Sequence, residues 1–132
     1  MILADTGFLV GAISEDDQYH RRCIEIAATL PPRCITTWPC LTEALYLLGN
    51  SFAQEKLQKQ IEIGVLHLHE PTREDALRSF QLMRTYADTP MDFADATLVV
   101  AAEVTNITRI LTFDHHFFAY RIHDTTPFEL LL

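Results

Sequence analysis

Short strand-like runs alternate with helical stretches along the whole chain, and this alternation is the strongest restriction on its fold. Ile2 to Ala4 is an apolar run ending in Asp5-Thr6-Gly7, and Cys34 to Thr37 is β-branched and flanked by prolines. Val65 to His69 alternates apolar and histidine side chains, and Arg109 to Phe113 is the last clear strand. Between them, Phe8 to Ile13, Gln18 to Leu30, Pro39 to Leu48, Phe52 to Ile63 and Thr72 to Tyr86 read as helices, with Pro31, Pro32 and Gly49-Asn50 as stop signals. Asp92 to Val104 reads as a helix that is apolar on nearly every face from Phe93 onward, as a buried helix would be. Strands separated by helices pair in parallel, because no tight hairpin can join them. The expected architecture is α/β: a three-layer α/β/α sandwich with a central, mostly parallel sheet.

A chain of 132 residues that is 48% hydrophobic and 21% charged has the balance of a globular protein, and residues 1–132 are expected to form a single domain. The N-terminal apolar run lacks a basic start and is interrupted by Asp5, so it reads as a buried strand and not as a leader. No apolar stretch approaches the roughly eighteen residues of a membrane span, and a cytoplasmic location is expected. Cys23, Cys34 and Cys40 are odd in number and lack metal-ligand spacing, which fits reduced structural thiols.

In an open parallel sheet, ligands bind outside the carboxyl ends of the strands. Asp5 and Asp114 fall at two such ends. Glu43 is the only acid in an otherwise apolar helix, and Asp92 and Asp95 open the most hydrophobic helix as an i, i+3 pair on one face. Acids are rarely buried without partners, and the neighbouring sequence supplies no Lys or Arg to these. A hard divalent cation, Mg2+ or Mn2+, suits a set of oxygen ligands on a rigid edge. Crowded carboxylates raise one another's pKa, and a bound cation relieves the repulsion. Such a site acidifies a water, orients a phosphate and stabilises the leaving oxygen, which is the chemistry of phosphodiester hydrolysis. Thr6 and Thr112 stand beside the acids as second-rank candidates for positioning a water.

Each acid also has a local explanation. Asp5 and Asp114 can cap the helices that follow them, and Asp92 with Asp95 imitates a capping box after Pro90. Capping and function are compatible, because helix N-termini also favour phosphate. Glu43 lies inside its helix, where only a surface position would explain it otherwise. His115 and His116 read as exposed loop residues within reach of a phosphate, and His67 and His69 as the polar face of a strand. Their spacing matches no zinc site.

The net charge of -8 opposes any nucleic-acid substrate, since phosphate binding normally draws on clustered cations. A divalent ion among the acids would reverse the local sign. Arg21, Arg22, Arg33, Arg73, Arg78 and Arg84 are the candidates to line a groove.

Taken together and in this order, ADTGFL, TEAL, DFADATLVVAAE and LTFDHHF resemble the PIN-domain family, over nearly the whole chain. The resemblance implies a three-layer α/β fold and a Mg2+- or Mn2+-dependent ribonuclease site. Carried over by motif, Asp5, Glu43, Asp95 and Asp114 form the acidic quartet, with Asp92 as an additional acid whose rank against Asp95 stays open. The length without appended domains most resembles VapC-type toxins of toxin-antitoxin pairs. That implies an RNA substrate, a homodimer and a cognate antitoxin.

Two other readings compete. Asp5-Thr6-Gly7 is also the signature of retroviral-type aspartic proteases, but those are almost entirely β and the helical stretches contradict that fold. The second is a non-catalytic module of PIN fold that binds RNA or protein. Phe117 to Tyr120 and the C-terminal PFELLL would then supply a contact surface, although a core or edge-strand role suits them equally.

Overall fold

A computed structural model describes residues 1–132. Strand β1 (Ile2–Ala4) leads into helix α1 (Thr6–Ile13) and helix α2 (His20–Ala27). Strand β2 (Cys34–Thr37) is followed by α3 (Trp38–Leu48) and α4 (Ser51–Glu62), and β3 (Leu66–His69) by α5 (Arg73–Thr85) and α6 (Phe93–Thr105). Strand β4 (Arg109–Leu111) ends the helical part. A single 3-10 turn (His115–Phe118) and strands β5 (Arg121–Ile122), β6 (Thr126–Pro127) and β7 (Glu129–Leu130) complete the chain. The main sheet has the order β3-β2-β1-β4-β7, with every neighbouring pair parallel, while β5 and β6 form a small antiparallel hairpin.

The alternation of side chains along each strand divides the core into two layers. Leu3 packs with α5, α6 and the C-terminal aromatics, in a cluster containing Leu82, Leu98, Val99, Phe117 and Tyr120. Its neighbours Ile2 and Ala4 face the other side, with Phe8, Leu9, Leu41 and Leu57 from α1, α3 and α4. This is the expected three-layer sandwich with a parallel sheet, and it excludes the almost all-β protease fold. No helix is long and apolar enough to cross a membrane.

Local chemistry explains most element boundaries. Gly49 takes the left-handed conformation at φ 72° and stops α3, and the Asn50 side chain accepts a hydrogen bond from Ala53 N at 2.9 Å to start α4. Reciprocal capping boxes open α5 (Thr72 with Asp75) and α6 (Asp92 with Asp95). The all-round apolar character of α6 has its reason in position, since Ala94, Ala96 and Leu98 through Ala102 are buried between the sheet and α5.

Several boundaries shift from the sequence reading, and one alternative it left open is decided. Helix α2 is shorter at both ends than Gln18 to Leu30. Tyr19 N donates to Asp17 Oδ1 at 2.8 Å in a turn, and the Tyr19 ring stacks on Phe113 at 4.0 Å, so the segment before His20 is fixed by tertiary packing. Pro31 disfavours helical backbone at Leu30. Strand β4 stops at Leu111, because Asp114 N donates to the Thr112 hydroxyl and turns the chain out of the ladder. The C-terminal PFELLL adds β7 to the sheet edge, with Leu131 N donating to Ile110 O at 3.0 Å. Phe117 and Tyr120 are buried in the core while Phe118 stays exposed.

An ion network holds the β5–β6 hairpin against the helices. Arg78 of α5 donates to both carboxylate oxygens of Glu103 on α6, at 3.0 and 2.9 Å, and to Asp124 at 3.0 Å. Glu103 also accepts from His123 N at 2.8 Å.

Candidate metal centre

The carboxyl ends of the central pair β1 and β4 deliver the first two acids. Asp5 N extends the ladder by donating to Leu111 O at 3.0 Å, which fixes where its side chain emerges. Its Oδ1 accepts from Thr6 N at 2.7 Å and its Oδ2 accepts from the Thr112 hydroxyl at 2.7 Å. Asp5 is only 9% exposed. Its carboxyl is pushed up to about 6, because burial and the charges of Asp114 and Glu43 outweigh the two hydrogen bonds that lower it.

Asp114 leaves β4 two residues beyond Thr112 and caps the 3-10 turn by accepting from His116 N at 2.9 Å. The His116 ring lies 2.7 Å from the same carboxylate oxygen, and both His115 and His116 are exposed. From the facing side, the first turn of α6 contributes Asp92 and Asp95, locked by Asp95 N donating to Asp92 Oδ1 at 2.8 Å and Asp92 N donating to Asp95 Oδ2 at 3.1 Å. Burial, and then the charges of Asp92 and Asp5, lift the Asp95 carboxyl to about 8 against the backbone hydrogen bond that lowers it. Glu43 stands on the exposed side of α3, its pKa raised by partial burial and by the charge of Asp92.

The four aspartates are therefore caps, as local sequence rules expect, and also members of one electrostatic group that includes Glu43. No Lys or Arg is among the charges acting on Asp5, Asp95 or Glu43. A donor set made only of oxygens, carrying unrelieved repulsion and lacking a cationic partner, fits a hard divalent ion. No three His, Cys, Asp or Glu side chains close around a common point.

Thr112 is integral to the group, because its buried hydroxyl touches both Asp5 and the Asp114 backbone. Thr6 contributes its backbone N–H, while its hydroxyl turns away to the Cys40 carbonyl at 3.4 Å. Tyr120 carried no functional signal in the sequence, where it reads as a core aromatic. Its ring is buried against Phe117 and Tyr86, yet its hydroxyl donates to Pro90 O, two residues before Asp92. Burial and the charges of Asp95, Asp114, Asp92 and Asp5 all hold the phenol above its usual pKa.

The histidines of β3 lie apart from the acids' hydrogen-bond network: His69 pairs with Asp75 at 3.3 Å and His67 Nε2 is buried without a partner. Of the six arginines considered for a groove, Arg78 is committed to Glu103 and Asp124, and the other five are exposed.

A family model described as the PIN domain matches residues 2–122. No curated protein matches the chain. Among solved structures, the chain is similar to the Mycobacterium tuberculosis toxin VapC20, described as cleaving the sarcin-ricin loop, with a TM-score of 0.82 and 21% identity over 96% of this chain and 100% of that one. It is also similar to a chain of a Klebsiella pneumoniae toxin-antitoxin complex, with a TM-score of 0.69 and 19% identity over 98% of this chain and 99% of that one. A chain of the DNA-bound VapBC of Salmonella typhimurium matches with a TM-score of 0.64 and 19% identity, covering 100% of both. With its model matched over nearly the whole sequence, on the fold and strand-end acids described above, the chain belongs to the PIN-domain family.

Proposed function

We propose that this protein is a Mg2+- or Mn2+-dependent endoribonuclease and the toxin of a toxin-antitoxin pair. The observation that carries the nuclease reading is the convergence of Asp5, Glu43, Asp92, Asp95 and Asp114 on one sheet edge without a neutralising Lys or Arg. A divalent ion held there supplies Lewis acidity toward a phosphate oxygen and acidifies the attacking water.

The chain's own residues do the rest. Asp5, fixed at both oxygens, and Asp114 present carboxylates from the rigid ends of β1 and β4. Asp95 and Glu43 approach from α6 and α3, and Asp92 orients Asp95 through the capping box. Thr112 keeps the Asp5 carboxylate in one rotamer and lowers its proton affinity. Burial and the neighbouring charges of Asp92 and Asp5 raise the proton affinity of Asp95, a repulsion that a bound cation would relieve.

The toxin role draws support from the similar structures, which are a toxin and chains of toxin-antitoxin complexes. A homodimer and a cognate antitoxin follow as part of that proposal. The test is cleavage of RNA by the purified protein in Mg2+ or Mn2+, abolished by EDTA and by Asp5→Asn or Asp114→Asn. Cleavage and metal binding that survive both substitutions would put the site elsewhere. RNA that is bound but never cut would favour a non-catalytic module. For the toxin role, growth arrest on expression, relieved by co-expressing an adjacent small gene, is the expected result.

A further inference from the structure

Beside the acids, on the same carboxyl edge of the sheet, lies an aromatic strip that the metal chemistry does not use. Trp38 is the first residue of α3, the helix that carries Glu43, and Phe93 directly follows Asp92 at the start of α6. Trp38 is 51% exposed and its ring has no aromatic partner. Phe93 packs on the half-exposed Phe80 with ring centroids 5.4 Å apart.

Trp38 and Phe93 both line a cleft of about 100 Å³, together with His69, Thr37 and Thr97. The cleft is too small to enclose a base, so a base would have to lie over the exposed Trp38. Its wall is already organised: the Thr37 and Thr97 hydroxyls bond at 2.8 Å, and His69 is held by Asp75 through Nε2, leaving Nδ1 free of any protein partner.

We propose that Trp38, backed by Phe93 and Phe80, is a stacking platform for one unpaired nucleobase next to the scissile phosphate. This rests on the ribonuclease reading above. It answers the difficulty set by a net charge of -8, which denies the protein most of the cationic attraction that usually holds a phosphate backbone. Stacking on an aromatic face does not depend on charge and accepts any base.

Trp38 is the only tryptophan of the chain, so its fluorescence reports on the platform directly. The wild-type protein is titrated in Mg2+ with a single-stranded phosphorothioate oligonucleotide, which resists hydrolysis, and with an abasic oligonucleotide of equal length and charge. Saturable quenching by the first and not by the second is expected, with little dependence on salt. In RNA cleavage, Trp38→Ala should raise KM about tenfold with kcat unchanged, the loss of one stacked base. Phe52→Ala, an exposed aromatic on α4, should behave as wild type.

Equal quenching by the abasic oligonucleotide, or an unchanged KM in Trp38→Ala, overturns the platform and leaves the nuclease standing. Base-dependent quenching without any cleavage overturns the nuclease and leaves a single-strand binding site. A blue-shifted Trp38 emission that grows with protein concentration in the absence of nucleic acid means that a second copy covers the strip, which also overturns the proposal.

Discussion

The Thr112 hydroxyl donates a 2.7 Å hydrogen bond to Asp5 Oδ2, joining the ends of two adjacent strands across 107 positions of sequence. The same oxygen accepts from Asp114 N at 3.0 Å. One buried side chain thus sets the position of one acid and the exit path of another.

Thr112→Val keeps the shape and removes both bonds. Asp5 then loses the strongest influence that lowers its pKa, and its carboxyl protonates at still higher pH. Hydrogen bonds to charged groups contribute about 1.5–3 kcal/mol, so Mg2+ affinity near neutral pH should fall roughly tenfold to hundredfold. The acid limb of the pH-activity profile should move upward, and Thr112→Ser should restore both. An unchanged acid limb in Thr112→Val would refute the role.

The metal-free protein should lose stability as pH rises. Asp5 and Asp95 titrate at about 6 and about 8 in the folded state, against 3.8 ordinarily, so the folded chain binds protons more tightly than the unfolded one. Their contribution is fully present below the ordinary carboxylate range and is lost as pH climbs through about 6 and then about 8. Mg2+ should therefore raise Tm more at pH 8 than at pH 5, in melts compared with EDTA. Asp95→Asn should flatten the decline of the metal-free protein. A metal-induced shift equal at both pH values would contradict this account.

Tyr120→Phe retains the buried ring and leaves the Pro90 carbonyl without its donor. The segment entering α6 then holds Asp92 and Asp95 less firmly. Supporting residues behind a metal site typically change affinity about tenfold or more, and a loss of that order is expected in calorimetric Mg2+ titration. The accompanying destabilisation should be about 1 kcal/mol. Wild-type Mg2+ affinity in this variant would show that the phenol serves the core alone.

Gly11 is where α1 meets α2. A Cβ at this position would stand 2.6 Å from the Cys23 sulfur, and Cys23 is completely buried. Alanine is the better helix former by about 1 kcal/mol, whereas overpacking costs about 1–3 kcal/mol. Gly11→Ala should therefore be destabilising by about 1 kcal/mol in urea unfolding, and adding Cys23→Ala should recover part of the loss. Gly11→Ala as stable as wild type would mean that the two helices separate freely.

Much of the fold was legible because it depends on periodicity. The strand cores Ile2 to Ala4 and Cys34 to Thr37, the capping boxes at Thr72 and Asp92, and the left-handed stop at Gly49 are local signals that the structure bears out. For the C-terminal PFELLL the sequence left a contact surface, a core role and an edge strand all open, because the two residues pairing with β4 carry no period of their own. The bond from the Thr112 hydroxyl to Asp5 also lay beyond local rules, since its partner is at the far end of the chain.

The acids divide in the same way. Which carboxylates exist, that four of them sit at helix starts, and that none has a cation close in sequence can all be read along the chain. Capping is a matter of two or three residues, so it can be read locally. The folded arrangement alone brings Asp5, Asp92, Asp95, Asp114 and Glu43 within electrostatic reach of one another, buries and doubly bonds Asp5, and lays Tyr120 against the same group. It also set the aromatic strip of Trp38, Phe93 and Phe80 beside them. Proximity between strand ends follows from sheet order and helix packing, and burial from what the rest of the chain places on top. Neither is a property of any one segment.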